Sequence, residues 1–313
     1  MCVQSQIDRE RMSAVMLLVY GDESLDGTQS RVCAVAGLIG TEDAWIEVER
    51  AWKERNGPIP FHANHCENDQ GDYAPKLGED ADKKHEENKA LYRDLSVLLS
   101  ESKLGGFASA LDLAARRKAF PSPYEPPLYY QPFTDVVAAM RNAAADRGEV
   151  AELTFDNRLE SEFNAGQIYS YLRAMGVYWE EPLASKISFE SSRSNARLQM
   201  ADLFAYEAMK DLDNQIGPVK RGTRKSWECL QGTGRFHIER FGEEYFSDPR
   251  MNPDALHKAL GFTDSDYAEW LESRRVPPCD TSFLQFLFER RSRMTEEQLI
   301  HFNEVYGPHA RHR

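Results

Sequence analysis

The patterned part of the chain begins with Val15-Met-Leu-Leu-Val-Tyr20, a continuous apolar run rich in β-formers. Such a run predicts a strand buried on both faces. It leads into Gly21-Asp22-Glu23-Ser24 and then the turn signal Leu25-Asp26-Gly27-Thr28. Val32 to Ile39 is a second apolar run with Ala and Gly mixed in, so the two predict a β-hairpin at the heart of a sheet. Glu42 to Arg55 has helical spacing, with Trp45, Val48 and Trp52 on one face, and Pro58 and Pro60 stop it. Residues 61–82 are polar and read as a loop. Lys84 to Ser100 predicts a helix with Leu91, Leu95, Leu98 and Leu99 inward, and Leu104 to Leu111 a weaker strand.

The proline-rich stretch Phe120 to Pro127 cannot hold a helix. A helix over Gln131–Arg147, a short strand over Ala151–Asn157 and a helix around Asn164–Met175 follow. Lys186–Glu190 then predicts a strand and Ser194–Leu212 a long helix. This order is α/β with a mixed sheet flanked by helices. Beyond residue 216 no clear strand is visible. Asn252-Pro253, Asp264–Arg275, Asp280–Arg291 and the capping box Thr295-Glu-Glu-Gln298 predict helices.

Charge supports a division. The 313 residues carry a formal net charge of −13, from 38 basic and 51 acidic side chains. Residues 1–215 hold 23 basic and 36 acidic groups; residues 216–313 hold 15 of each. We therefore expect a domain over 1–215 and a mostly helical C-terminal extension over 216–313, with the boundary near Gly217-Pro218. A hydrophobic fraction of 41% excludes a disordered chain. The acidity argues against a purely electrostatic nucleic-acid binder, but not against a metal-dependent nuclease, whose site is acidic by necessity. The five cysteines are scattered and form no C-x-x-C pair, which predicts reduced, partly buried thiols rather than disulfides or a cysteine zinc site. The start is polar and charged, and the run Ala14–Tyr20 is too short to span a bilayer, which needs about 20 residues. The expectation is a cytoplasmic protein with no membrane partner.

Three aspartates stand where a carboxylate is costly without a partner or a metal. Asp22 ends the most apolar strand, Asp156 ends the short strand after Leu153 and Phe155, and Asp202 lies inside a helix with apolar flanks. At about 100° per residue, Asn195, Gln199, Asp202 and Tyr206 fall within roughly 60° of one another. This polar stripe has no Lys or Glu, unlike a solvated face, and suggests the wall of a site. Asp22 and Ser24 share a strand face; Glu23 points away if the strand stays extended and turns inward if it ends at Gly21. Carboxylates from two strand ends and a late helix suit two-metal phosphoryl chemistry with Mg²⁺ or Mn²⁺.

Tyr20-Gly-Asp-Glu-Ser24 resembles the D-E-S start of the domain-of-unknown-function-3800 (DUF3800) family. Ser194-Asn-Ala-Arg-Leu-Gln-Met-Ala-Asp-Leu-Phe-Ala-Tyr206 resembles its late L-Q-x-A-D-L helix, and Asp156 fits the Asp between those motifs. The resemblance covers roughly residues 14–212. It implies a ribonuclease H-like fold and metal ligands at Asp22, Asp156 and Asp202, with Glu23 as the candidate fourth catalytic carboxylate; in a two-metal site Asp22, on the central strand, is the natural residue to bridge both ions. The family's members are bacterial and phage-associated, which implies a phage-defence or mobile-element effector. The leading expectation is a divalent-metal-dependent nuclease acting on DNA or RNA. A second reading keeps the fold without metal chemistry: an inactive binding or assembly subunit whose residues 216–313 dock a partner protein or RNA. A third is an effector nuclease held inactive until a partner signals. A homo-oligomer is compatible with each.

Other residues complete the candidate site. Arg158, Arg193 and Arg197 lie near the carboxylate motifs and are placed to meet a phosphate; Asn195 and Gln199 would orient substrate. Ser24 would contact it. His62 and His65 in Phe61-His-Ala-Asn-His-Cys66 have the spacing of a zinc half-site with no visible second half; the competing readings are polar loop residues and substrate contact. Lys220-Arg-Gly-Thr-Arg-Lys225 is the only concentrated basic segment, either a solvated loop or a nucleic-acid contact. Tyr124, Tyr129, Tyr130 and Phe133 either pack a loop or stack on bases. No P-loop and no G-x-S-x-G elbow occurs.

Overall fold

The computed structural model describes residues 16–27, 30–119, 128–159, 165–174, 183–248 and 295. The expected helices from Asn252 onward, most of the Thr295 capping box, the proline loop 120–127 with Tyr124, and Cys2 and Cys279 lie outside those residues.

The hairpin forms as the two apolar runs predict. β1 (Met16–Leu25) pairs antiparallel with β2 (Val32–Thr41), and the register sets Asp22 opposite Ala36. Asp26 closes the turn by accepting the backbone N–H groups of Ser30, Arg31 and Val32. After β2, Thr41 caps α1 (Glu42–Asn56) through Ala44 N, and α1 buries Trp45, Val48 and Trp52 as its spacing demands. The 61–82 loop contains one short helix, α2 (Ala63–Glu67), and a single tight turn at Gly71–Tyr73. α3 (Ala81–Glu101) is capped by Asp80 and buries Leu95 and Leu99, each worth roughly 1.5–3 kcal/mol.

β3 (Gly105–Asp112) continues the antiparallel ladder on β2 and runs into α4 (Leu113–Ala119). α5 (Tyr130–Ala145) precedes β4 (Val150–Asp156), which pairs parallel with β1. α6 (Ala165–Ala174), β5 (Leu183–Glu190) and the long α7 (Ala196–Ile216) follow. The result is an α/β fold with a six-stranded mixed sheet in the order β5-β4-β1-β2-β3-β6, flanked by helices.

The sixth strand corrects one expectation. β6 (Phe236–Phe241) pairs parallel with the edge of β3, preceded by α8 (Lys225–Gln231) and followed by α9 (Glu243–Phe246). Trp227, Leu230 and Phe236 join the core on one sheet face, so the chain after Gly217-Pro218 completes the same domain at least to Phe246. β6 escaped the pattern because Phe236-His-Ile-Glu-Arg-Phe241 buries only its two end residues. An edge strand supplies little of the alternation that marks a strand.

Two cores lie on opposite faces of the sheet. α7 lies across β1, β2 and β3, with α1, α3 and α8 around it, and covers Val32, Ala34, Ala36, Leu38, Ala108 and Ala110. α5 covers the other face with Leu17, Val19, Cys33, Val35, Leu153 and Phe155. The many small residues on β2 let α7 come close. Gly106 shows the limit: a Cβ there would sit 2.8 Å from both Phe204 and Phe236. Tyr129 and Phe133 are fully buried in the α5 core, so the aromatic run packs a core and presents neither ring to a base.

Candidate functional site

Strand alternation decides where each carboxylate points. Leu17 and Val19 belong to the α5 face, Leu18 and Tyr20 to the α7 face. β1 remains extended through Leu25, so Asp22 and Ser24 face α7 and Glu23 faces the other way. On β4, Ala151, Leu153 and Phe155 belong to the α5 face, which puts Asp156 on the α7 face. The parallel ladder sets Gly21 opposite Phe155, so the next residues, Asp22 and Asp156, are neighbours on one face. Asp202 comes from α7, which lies across that face. All three are buried, at 6%, 8% and 9% exposure.

Crowded burial raises these acids. Asp22 is pushed well above the usual carboxylate range by burial first, then by the charges of Glu23, Asp202 and Asp156. Burial likewise takes Asp202 up to about 7, against a 2.7 Å hydrogen bond from the Ala63 N–H and with added repulsion from Asp156. Glu23 is pushed up to about 7 by burial, opposed by its hydrogen bond with Asp22 and by the Arg158 charge. Arg158 Nε stands 3.4 Å from Glu23 Oε1, while Glu23 Oε2 is buried with no hydrogen-bond partner. Glu23 therefore lies across the strand from Asp22 yet within electrostatic reach of it.

The donor chemistry fits a hard divalent cation: several buried carboxylates, one orphaned oxygen, and repulsion that a cation would reverse. The carboxylates do not converge as they stand. Among the described residues no group of three or more His, Cys, Asp or Glu side chains is placed to enclose a metal ion. Asp156 accepts the Arg158 N–H on Oδ1 and the Ser192 N–H on Oδ2, both at 2.9 Å. Each oxygen retains a second lone pair.

The polar stripe on α7 is mainly a seam that holds the segment 61–68. Gln199 Oε1 accepts the Phe61 N–H, Asp202 Oδ2 accepts the Ala63 N–H, and Tyr206 donates to Glu67 Oε2 at 2.5 Å. This brings His62 to the site: its Nδ1 is 3.5 Å from Asp202 Oδ2, and its ring stacks on His65 at 4.2 Å. His65 lies against Gly71, which has a positive φ of 55° and where a Cβ would be 2.9 Å from His65 Nδ1. Cys66 is taken up by the core. It is buried toward Asn88, and burial pushes its thiol up to about 12.

Several expected substrate contacts have other duties. Gln199 Nε2 donates to Ser192 O, so both ends of its amide hold backbone. Asn195 caps α7 through Arg197 N and donates to Glu190. Arg197 binds Glu42 and Glu49 at 2.8 Å and packs on the rings of Tyr20 and Trp45, so it is committed to α1 rather than to a phosphate. In the basic segment, Arg224 pairs with Glu67 and with the fully buried Glu207, which also accepts from Tyr92. Sequence reasoning missed this network. Glu207 sits on α7 five residues after Asp202, amid apolar neighbours, and that was its one visible signal.

No protein-family model matches the chain, and a search of the curated proteins gives no match either. Among the described residues no helix is long and apolar enough to cross a membrane.

Proposed function

We propose that the chain is a divalent-metal-dependent phosphodiester hydrolase of ribonuclease H-like fold, related to the domain-of-unknown-function-3800 proteins. The observation that carries the reading is that Asp22, Asp156 and Asp202 are all buried on one face of the sheet, from two adjacent strand ends and a crossing helix. These three would hold Mg²⁺ or Mn²⁺, with Glu23 the reserve carboxylate. A bound divalent ion supplies Lewis-acid stabilisation for the charge that develops at phosphorus and on the leaving oxygen.

The chain's own residues prepare the site in three ways. The low-dielectric surroundings of Asp22 and Asp202 strengthen any interaction with a cation. The 61–63 segment, held by Gln199 and Asp202, keeps the half-exposed His62 beside the carboxylates, where its ring can hydrogen-bond a substrate oxygen. Arg158, 40% exposed at the rim, brings positive charge to a site that would otherwise repel a polyanion.

The test is cleavage of labelled single- and double-stranded DNA and RNA in Mn²⁺, Mg²⁺ or EDTA. The expected result is metal-dependent cleavage that falls at least a hundredfold in Asp22→Asn and Asp202→Asn. Cleavage that persists in EDTA, or in both variants, overturns the assignment.

One observation favours a second reading, an inactive binding subunit: Asp156 is engaged by two backbone N–H groups and no three carboxylates converge. Calorimetric titration with Mn²⁺ separates the two. Heat of binding that disappears in Asp202→Asn supports the hydrolase; no binding supports the subunit.

A further inference from the structure

A cleft of about 320 Å³ opens beside the carboxylates, between the end of α1 with the turn after it and the start of α7. Trp52, Pro58 and Pro60 form one side; Arg193, Ser194 and Gln199 form the other. Its position relative to the site follows from shared contacts. Gln199 lines the cleft and holds both Phe61 N and Ser192 O. Two residues beyond Phe61, Ala63 N–H binds Asp202, and Ser192 N–H binds Asp156. The two walls of the cleft therefore run straight into the two segments that touch the carboxylates.

Its open walls are the Pro58-Ile59-Pro60 turn on one side and Arg193 with Ser194 on the other, while Trp52 lies fully buried beneath. Arg193 is exposed, and among the described residues its guanidinium has no carboxylate partner, in a chain of net charge −13.

We propose that this cleft seats one unpaired nucleotide next to the scissile phosphate, with the base against the Pro58-Ile59-Pro60 turn and the phosphate on Arg193, so that the substrate is single-stranded nucleic acid. This deepens the hydrolase reading and rests on it. The size is that of the smallest ligand pockets, enough for one nucleotide and not for a duplex. A base can enter only when it is free of its partner strand. An apolar proline wall accepts any base face, while a cation tracks the backbone, a combination that holds a single strand without sequence preference.

The experiment is equilibrium binding, read by fluorescence anisotropy, of labelled dT8, U8 and a 20-base-pair duplex to the full chain in EDTA and in Ca²⁺. Ser194 is exposed on the cleft wall, so Ser194→Trp fills the cleft without disturbing the core; melting temperature serves as the fold control. The expected result is at least tenfold tighter binding of a single strand than of the duplex, and at least a tenfold loss in Ser194→Trp. Arg193→Ala weakens binding and lowers the salt slope by about one. The dT8 and U8 arms tell DNA from RNA. Binding in Ser194→Trp within twofold of the parent, preference for the duplex, or no binding in either buffer overturns the proposal. If the cleft variants lose binding while the parent cleaves nothing in Mn²⁺, the cleft stands and the hydrolase reading fails. If the parent cleaves and Ser194→Trp binds normally, the reverse holds.

Discussion

Replacing Asp202 with Asn is expected to stabilise the metal-free protein, the opposite of what most buried substitutions do. Asp202 has its carboxyl raised from 3.8 to about 7 by burial, with the charge of Asp156 adding to it. An acid whose native pKa lies above its unfolded value favours the folded state only while protonated. Its contribution is full below about pH 4 and is lost as the pH rises through about 7. At about 1.4 kcal/mol per unit, the loss over the whole window is on the order of 4 kcal/mol. Between pH 5.5 and 7.5 it is about 2 kcal/mol, or roughly 4–8 °C in melting temperature for a chain of this size.

The assay is thermal unfolding in EDTA at pH 5.5, 6.5 and 7.5, then at pH 7.5 with Mn²⁺. The parent should melt lower as the pH rises and recover with Mn²⁺. Asp202→Asn should melt higher than the parent at pH 7.5 in EDTA and respond less to the ion. Its pH slope should fall without vanishing, because Asp22 and Glu23 are also pushed up. Asn can still accept the Ala63 N–H, so the seam to α2 survives. A variant that melts below the parent at pH 7.5 in EDTA would refute the charge-crowding argument.

Three further outcomes follow from the packing. Arg224→Met leaves Glu207 fully buried without its cation and should lower the unfolding free energy in urea by about 3–5 kcal/mol; adding Glu207→Gln should restore at least half, and a single variant within about 1 kcal/mol of the parent contradicts the pairing. Gly21→Ala places a Cβ 2.3 Å from the buried Phe155 ring and should lower stability by about 1–3 kcal/mol, read as a shift in the urea midpoint, while displacing the adjacent Asp22 enough to reduce metal-dependent cleavage. Cys33 and Cys66 are buried with thiols pushed up to about 12, so neither should be alkylated by iodoacetamide at pH 8 until urea is added; mass spectrometry of the digested protein reads this directly.

The chain by itself determined the hairpin, the order of the longer strands and helices up to residue 212 though not the short helices α2 and α4, and the burial of the three aspartates. Each is a local signal: an unbroken apolar run, a helical stripe, or a carboxylate set among residues that would exclude it. Pairing and facing were different matters. Glu23 had two possible orientations until the ladder to β2 showed that β1 runs on past Gly21. The stripe Gln199–Asp202–Tyr206 was visible as polar, but its partner, the segment 61–68, lies more than 130 residues away and has no periodicity of its own. Arg197 looked well placed to meet a phosphate and Arg224 less so, and only packing could assign them to Glu42, Glu49, Glu67 and Glu207. β6 was missed because an edge strand with two buried ends carries little pattern, although its pairing extends the sheet beyond the boundary the charges suggested. Periodicity records which residues avoid water. Which distant polar group satisfies a buried one is a property of the assembled tertiary structure alone.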